Sequence, residues 1–373
     1  MPAQARAVVL DKPLGTFRVE VFDLPEPAPG TVLLRMELSG CCATDAHTYL
    51  GQWPNAVFPL MPGHENVGRI EAVGPGGQRD FLGRELRPGD RVFARWGWCG
   101  QCHECRALQQ PRRCRNRRVS YGGMAEPFSG GFAEYLYLSA PETTFMLKME
   151  AAASVAVLSE PLGVAVTAVR RAQPRLGETV VVQGCGAIGL LSLGLAKHAG
   201  ATRLICVGGP AERLSMARAF GADVTIDIEH IPDAEERRRA VLEETPGGIG
   251  ADLVFGCVGL APAWLEGLSF VRDGGRFMEL GLASDTGDVR FNPATMLVAR
   301  NLTLLGTLGL SDYQDAVAAG RILEAGRLPF EQVVSHQLPL ERAGDAIAAL
   351  NGSYRLDGRT ALKIAIAPNG PVT

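Results

Sequence analysis

Two textures of hydrophobic and polar positions divide the chain. Up to about residue 140, short β-type runs over 7–10, 31–36, 68–73 and 91–94 alternate with Gly and Pro punctuation, which predicts a β-rich domain with long loops. From about residue 160 the pattern becomes apolar strand, Gly turn and amphipathic helix. Strands are predicted over 178–183, 204–207, 224–226, 251–255 and 275–280, and helices over 190–199 and 211–220. Strands alternating with helices imply a parallel, doubly wound sheet, so the fold class is α/β. After residue 306 the texture is mixed again, and the apolar run 361–367 reads as a strand completing the first domain. The expected organisation is one domain built from 1–160 and 306–373 and a second over 161–305. No internal repeat is visible.

Composition narrows the function. The chain has 373 residues, too many for one ordinary core, and its 46% apolar residues can fill two. Charged residues make up 21% with a formal net charge of -3, which argues against nucleic acid or an anionic membrane as the main partner. Small-molecule partners fit better. No run of about 18 apolar residues appears and the first residues lack signal-peptide character, so a cytoplasmic location is expected. The nine cysteines then read as metal ligands and reduced thiols, not as a disulfide framework.

The densest chemistry lies at Cys99-Gly-Gln-Cys102-His-Glu-Cys105, followed by Cys114. Four thiolates can wrap one tetrahedral zinc, and a closed sulfur shell leaves no position for substrate, so this site is expected to be structural. The last gap, Cys105 to Cys114, makes Cys114 the least typical member. Arg112, Arg113, Arg115, Arg117 and Arg118 crowd around it and read as a solvated loop.

Gly184-Cys-Gly186-Ala-Ile188-Gly189 fits G-x-G-x-x-G, follows an apolar strand and opens a helix. The glycines can form the tight turn and bring a pyrophosphate to the helix N-terminus. At the end of the next strand, where an acid would bind the ribose 2′-hydroxyl, the chain reads Val207-Gly208-Gly209-Pro210. The missing carboxylate, with Arg213 as the nearest cation, leans toward NADP. A solvated Arg213 is an equal reading, and Glu212 is an alternative ribose partner.

A second set of metal donors is dispersed: Cys42-Ala-Thr44-Asp45-Ala-His47, then Gly63-His64-Glu65, then Glu160-Pro-Leu. Cysteine, histidine and glutamate suit a catalytic zinc, which keeps one position open. Cys41 adjoins Cys42 and is an alternative donor.

Together with Gly130-Gly-Phe-Ala-Glu-Tyr135, these motifs resemble the zinc-dependent medium-chain alcohol and polyol dehydrogenases over nearly the whole length. The resemblance implies a GroES-like catalytic domain beside a Rossmann domain, with the substrate in the cleft between them. With threonine at plus two and histidine at plus five, it favours Cys42 over Cys41. It makes Cys42 and His64 ligands of the catalytic zinc, with Glu65 and Glu160 as exchangeable or alternative ligands, and Cys99, Cys102, Cys105 and Cys114 those of a structural zinc. Glu160 stands where classical alcohol dehydrogenases have cysteine, which favours polyols or secondary alcohols. Thr44 and His47 would carry the hydroxyl proton outward. Gly184, Gly186, Ile188, Gly189, Gly208 and Arg213 would meet NAD(P).

The expected activity is therefore hydride transfer between a secondary alcohol or polyol, or the matching carbonyl, and NAD(P), by a homodimer or homotetramer with two zinc ions per chain. Alternatives are a biosynthetic carbonyl reductase of the same fold and a non-catalytic metal-bound module that binds nucleic acid or senses redox state. Trp53 and Phe58 are candidate lining residues, and Lys363 a candidate contact for the cofactor phosphate.

Overall fold

The computed structural model describes residues 3–53, 56–108, 111–116, 123–124, 126–140, 143–282, 284–309 and 312–372. The chain forms two compact units, 1–160 with 312–373, and 161–311.

In the first unit the hairpin β1 (Gln4–Leu10) and β2 (Phe17–Asp23) precedes β3 (Val32–Gly40), α1 (Ala43–Tyr49), β4 (Glu65–Val73) and β5 (Arg91–Trp96). Then come the short α2 (His103–Arg106), β6 (Tyr135–Leu138), β7 (Thr144–Lys148) and α3 (Ala153–Ala156). α4 (Ser159–Ala172) starts at the unit boundary. The 161–311 unit holds β8 (Thr179–Gln183), α5 (Ala187–His198), β9 (Arg203–Gly208), α6 (Ala211–Ala219), β10 (Val224–Asp227), α7 (Ala234–Glu243), β11 (Ala251–Gly256), α8 (Ala261–Ser269), β12 (Val271–Glu279) and β13 (Thr303–Gly306). The chain then returns through α9 (Tyr313–Ala325), β14 (Val334–Leu338), α10 (Ala343–Asn351), the small pair β15 (Arg355–Leu356) and β16 (Arg359–Thr360), and β17 (Lys363–Ile366).

The first unit is built on a seven-stranded sheet in the order β14-β17-β3-β4-β5-β7, with β6 also paired to β3. β3 runs antiparallel to β4, β6 and β17, and its end, Gly40, is in register with Glu65 of β4 and Ala365 of β17. The last apolar run of the sequence thus enters the sheet of the first unit. Leu34, Met36, Val92 and Trp96 pack in its core.

The second unit is a six-stranded sheet in the order β10-β9-β8-β11-β12-β13, and every pairing in it is parallel. All five residues of β8 are buried, as expected for a central parallel strand covered on both faces. The order reverses beside β8, which puts the topological switch point at the Gly184 turn. The sequence pattern finds five of these strands and misses β13, an edge strand whose four residues are exposed or half-buried. It also starts β12 too late, because Arg272 to Gly275 read as a turn. No helix among the described residues is long and apolar enough to cross a membrane.

Candidate active site

Cys42, His64 and Glu65 bring their ligand atoms within 4.8 Å of one another. Cys42 is the N-cap of α1, and its backbone N–H donates to Asp45 Oδ2 at 2.8 Å. Asp45 also accepts from Gly63 N at 3.4 Å and lies 3.8 Å from His64 Nδ1. One buried carboxylate therefore ties together the two loops that carry the cysteine and the histidine. Burial opposes charge on His64, yet the Asp45 carboxylate and the Cys42 contact hold its pKa well above the ordinary value. A metal bound by that ring competes with its proton. Cys41 instead packs with Val8, Ile364 and Phe132, and burial pushes its thiol up. Only Cys42 faces the cluster.

Glu65 is 1% exposed at the start of β4, and Lys363 Nζ on β17 donates to its Oε1 at 2.5 Å. The intervening residue has to be small: a Cβ on Gly40 would lie 2.0 Å from Glu65 Oε2 and 3.0 Å from Lys363 Cε. Glu160 is buried nearby without joining the 4.8 Å group. Burial raises its pKa, His64 opposes the rise, and the Glu65 charge adds to it. Thr44 Oγ1 lies 3.7 Å from Cys42 Sγ, and His47, three residues along α1, has Nδ1 2.7 Å from Gln52 Oε1.

The four other cysteines form a second cluster, with Cys102 3.5 Å from Cys105 and 3.8 Å from Cys114, and Cys114 3.6 Å from Cys99. Zinc with bonds of about 2.3 Å spaces tetrahedral sulfurs by about 3.8 Å, so the set fits that ion. Backbone N–H groups of Gln101 and Cys102 point at Cys99 Sγ and bring its pKa down to about 6, whereas burial pushes Cys105 up to about 12. The longer gap before Cys114 does not keep it out of the cluster.

In the second unit Gly184 has φ +100° and Gly186 caps α5. A Cβ on Gly189 would lie 1.8 Å from Gly184 O, so glycine there lets helix and strand close-pack. A Cβ on Gly186 would meet nothing within 4 Å. That open approach to the N-terminus of a 12-residue helix fits a pyrophosphate. Ile188 lies in the first turn of α5. At the end of β9, Gly208 is packed, since a Cβ there would lie 2.5 Å from Cys185 Sγ.

Comparison with known proteins now bears on this geometry. Residues 28–150 match the model of the alcohol dehydrogenase GroES-like domain, and residues 187–322 that of the zinc-binding dehydrogenase domain. A probable alcohol dehydrogenase of Mycobacterium tuberculosis is 33% identical, over 94% of this chain and 95% of that protein. The chain belongs to the zinc-dependent medium-chain alcohol and polyol dehydrogenase family. An erythritol/L-threitol dehydrogenase of Mycolicibacterium smegmatis is 29% identical over 99% of both chains. Among solved structures, a zinc-binding dehydrogenase of Sinorhizobium meliloti bound to NADP aligns with TM-score 0.82 and 26% identity, covering 98% of this chain and 100% of that one. Zinc and a nicotinamide cofactor are the cofactors of this dehydrogenase family.

Several sequence expectations change against the structure of the dehydrogenase. Lys363 is engaged by Glu65 inside the first unit, so it is not positioned as a phosphate contact. Arg213 is not a solvated helix residue: it is 8% exposed, and its charge helps to lower the Cys185 pKa, after the contact with Cys206. An acid does stand beside the end of β9, on the neighbouring strand, where Asp227 is in register with Gly208 and lies 2.9 Å from His230 Nδ1. Glu212 is exposed. Trp53 and Phe58 pack against Leu10 and Leu60. In the arginine collar, Arg115 Nε donates to Glu104 Oε1 at 2.5 Å, while Arg117, Arg118 and the Arg112 side chain lie outside the described residues.

Sequence reasoning passed over Asp45 and Arg95, and gave Lys363 a different partner. The Cys42-x-x-Asp45 spacing of a capping box was a usable signal for the first. The pairing of Lys363 with Glu65 had none, because only the sheet order, with β3 between β17 and β4, brings the two to Gly40. Arg95 is 3% exposed, with its guanidinium 5.1 Å from the Trp98 ring centre and 5.5 Å from those of Phe145 and Tyr313, and its charge lowers the Glu160 pKa.

Proposed function

We propose that this dehydrogenase interconverts a secondary alcohol or polyol and the matching carbonyl at the Cys42, His64 and Glu65 cluster. The observation that carries the reading is that three donors from two distant segments, Cys42 and the adjacent His64 and Glu65, converge within 4.8 Å, with a buried carboxylate tying the two segments together. Zinc supplies Lewis acidity toward the substrate oxygen, and the nicotinamide exchanges the hydride.

The chain's own residues do the rest. Cys42 and His64 hold the metal, and Glu65 or Glu160 completes the set. Asp45 orients the first two, as a carboxylate behind a ligating histidine does. Thr44 Oγ1 accepts the hydroxyl proton and passes it toward His47, on the same helix. Gly184, Gly186, Ile188 and Gly189 cradle the pyrophosphate. The buried Arg213 favours NADP, and Asp227 beside Gly208 limits that preference. The four-cysteine lobe holds a second zinc as a staple. The unpaired outer edge of β13, flanked by the exposed Val298 and Leu308, supports a dimer or tetramer joined through nucleotide units. A cytoplasmic setting suits ligands that must stay thiolates.

Purified protein is expected to hold two zinc ions per chain and to oxidise alcohols in a panel run with NAD and NADP in parallel. Cys42→Ala should lose one zinc and turnover while retaining nucleotide binding. Turnover that survives in this variant would move the chemistry elsewhere. Cys99→Ser should lose the other zinc.

A further inference from the structure

Glu279 ends β12, at the carboxyl edge of the parallel sheet, two strands from the fingerprint strand β8. Neighbouring strands are about 4.8 Å apart, so it stands about 10 Å from the pyrophosphate turn. It lies on the side away from β9 and β10, which take the adenosine half of a dinucleotide. Its side chain is fixed: Oε1 accepts from Gly281 N at 2.6 Å and Leu282 N at 2.8 Å. Oε2 lies over Gly256 at the end of β11, where a Cβ would come within 2.7 Å of it. The strand end is thus shaped around a carboxyl group that, among the described residues, forms no ion pair and belongs to no metal cluster.

We propose that Glu279 stands against the nicotinamide half of the cofactor and couples its redox state to a proton, ionised beside the cationic oxidised ring and protonated beside the neutral reduced one. The inference rests on the NAD(P) dehydrogenase reading above. Burial, only partly offset by the backbone N–H groups, lifts this carboxyl to about 7, where solvent can supply or remove its proton under working conditions. The neighbouring elements leave the charge unmatched. Cys257 on the β11 side is a thiol pushed up by burial and by Glu279 itself, so it stays neutral. Just past β13, Thr307 N donates to Glu279 O, and Arg171 is committed to Gly306 O at 2.5 Å. On α8, Glu266 is bound to Gln183 and Arg237, and Arg276 of β12 is bound to Glu178. A cationic ring is the missing counter-charge, and a neutral ring removes it.

The test is a pH series of dissociation constants for oxidised and reduced cofactor on the zinc-loaded full chain, read by fluorescence and calorimetry. Between pH 6 and 8 the affinity ratio, oxidised over reduced, should rise about tenfold, as when the carboxyl pKa differs by about one between the two complexes. In Glu279→Gln the ratio should be flat. Calorimetry of the unaltered protein in buffers of different ionisation enthalpy should show more proton uptake with reduced than with oxidised cofactor at pH 7. Equal uptake, or a ratio in Glu279→Gln that still follows pH, overturns the proposal while leaving the dehydrogenase reading intact. Failure of either cofactor to bind overturns both.

Discussion

Lys363 Nζ sits 2.5 Å from Glu65 Oε1, and both side chains are shut away from solvent on either side of the Gly40 backbone. The pair joins the β17 return segment to the start of β4, where Glu65 follows directly on His64. A buried charge that loses its partner costs about 3–5 kcal/mol, whereas removing both charges costs far less. Lys363→Met is therefore expected to destabilise the chelator-treated protein by about 3 kcal/mol in urea, and Glu65→Gln in the same background should recover most of the loss. Zinc should shrink the defect, because a cation bound by Glu65 replaces the ammonium. If Lys363→Met costs under about 1 kcal/mol, a typical exposed pair, the buried-pair account fails.

Asp45 offers a different kind of test, since it touches the donor loops without being counted among the donors. Changing it to Asn keeps the size but removes the charge that faces His64. Loss of a carboxylate behind a metal ligand commonly weakens binding 10- to 100-fold. Competition with a chelating dye should show a loss in that range for the zinc at Cys42, with the four-cysteine zinc unaffected. Unchanged affinity would reduce Asp45 to an end-cap of α1.

The two units differ in how much of them was legible in the sequence. β8, β9 and β11 are buried apolar runs next to glycine turns, and such runs announce themselves. β13 did not, because an edge strand alternates and stays half-exposed. For the site, the family resemblance favoured Cys42 over Cys41 by its offsets to Thr44 and His47, and Cys42 is the one that joins the donor cluster. What spacing could not convey was long-range company. Lys363 meets Glu65 across nearly the whole chain, and Asp227 reaches the end of β9 from the next strand over. The absence of an acid at Gly208 was read as a cofactor signal, yet the same glycine is needed to make room for Cys185 Sγ. One residue can answer to packing and to ligand at once, and a sequence shows only that it is glycine.

Glu279 also carries a prediction for the unliganded protein. A carboxyl raised from its ordinary 4.5 to about 7 holds its proton more tightly folded than unfolded. Below about pH 4.5 both states are protonated, and the group is neutral in its effect on stability. As pH rises from there to about 7 the unfolded chain ionises first, so the folded state loses stability, and above about 7 the penalty levels off at about 3 kcal/mol. Gln at this position has no proton to lose. The stability of Glu279→Gln relative to the unaltered chain should therefore climb by about 2–3 kcal/mol from pH 4.5 to pH 8, measured by urea denaturation at each pH. Using the difference between the two proteins cancels the other titrating groups. A difference that stays level across that range would mean that Glu279 titrates alike in the folded and unfolded chain. The β12 carboxyl would then be an ordinary solvated acid, and the shaping of Gly256 around it would have only a packing explanation.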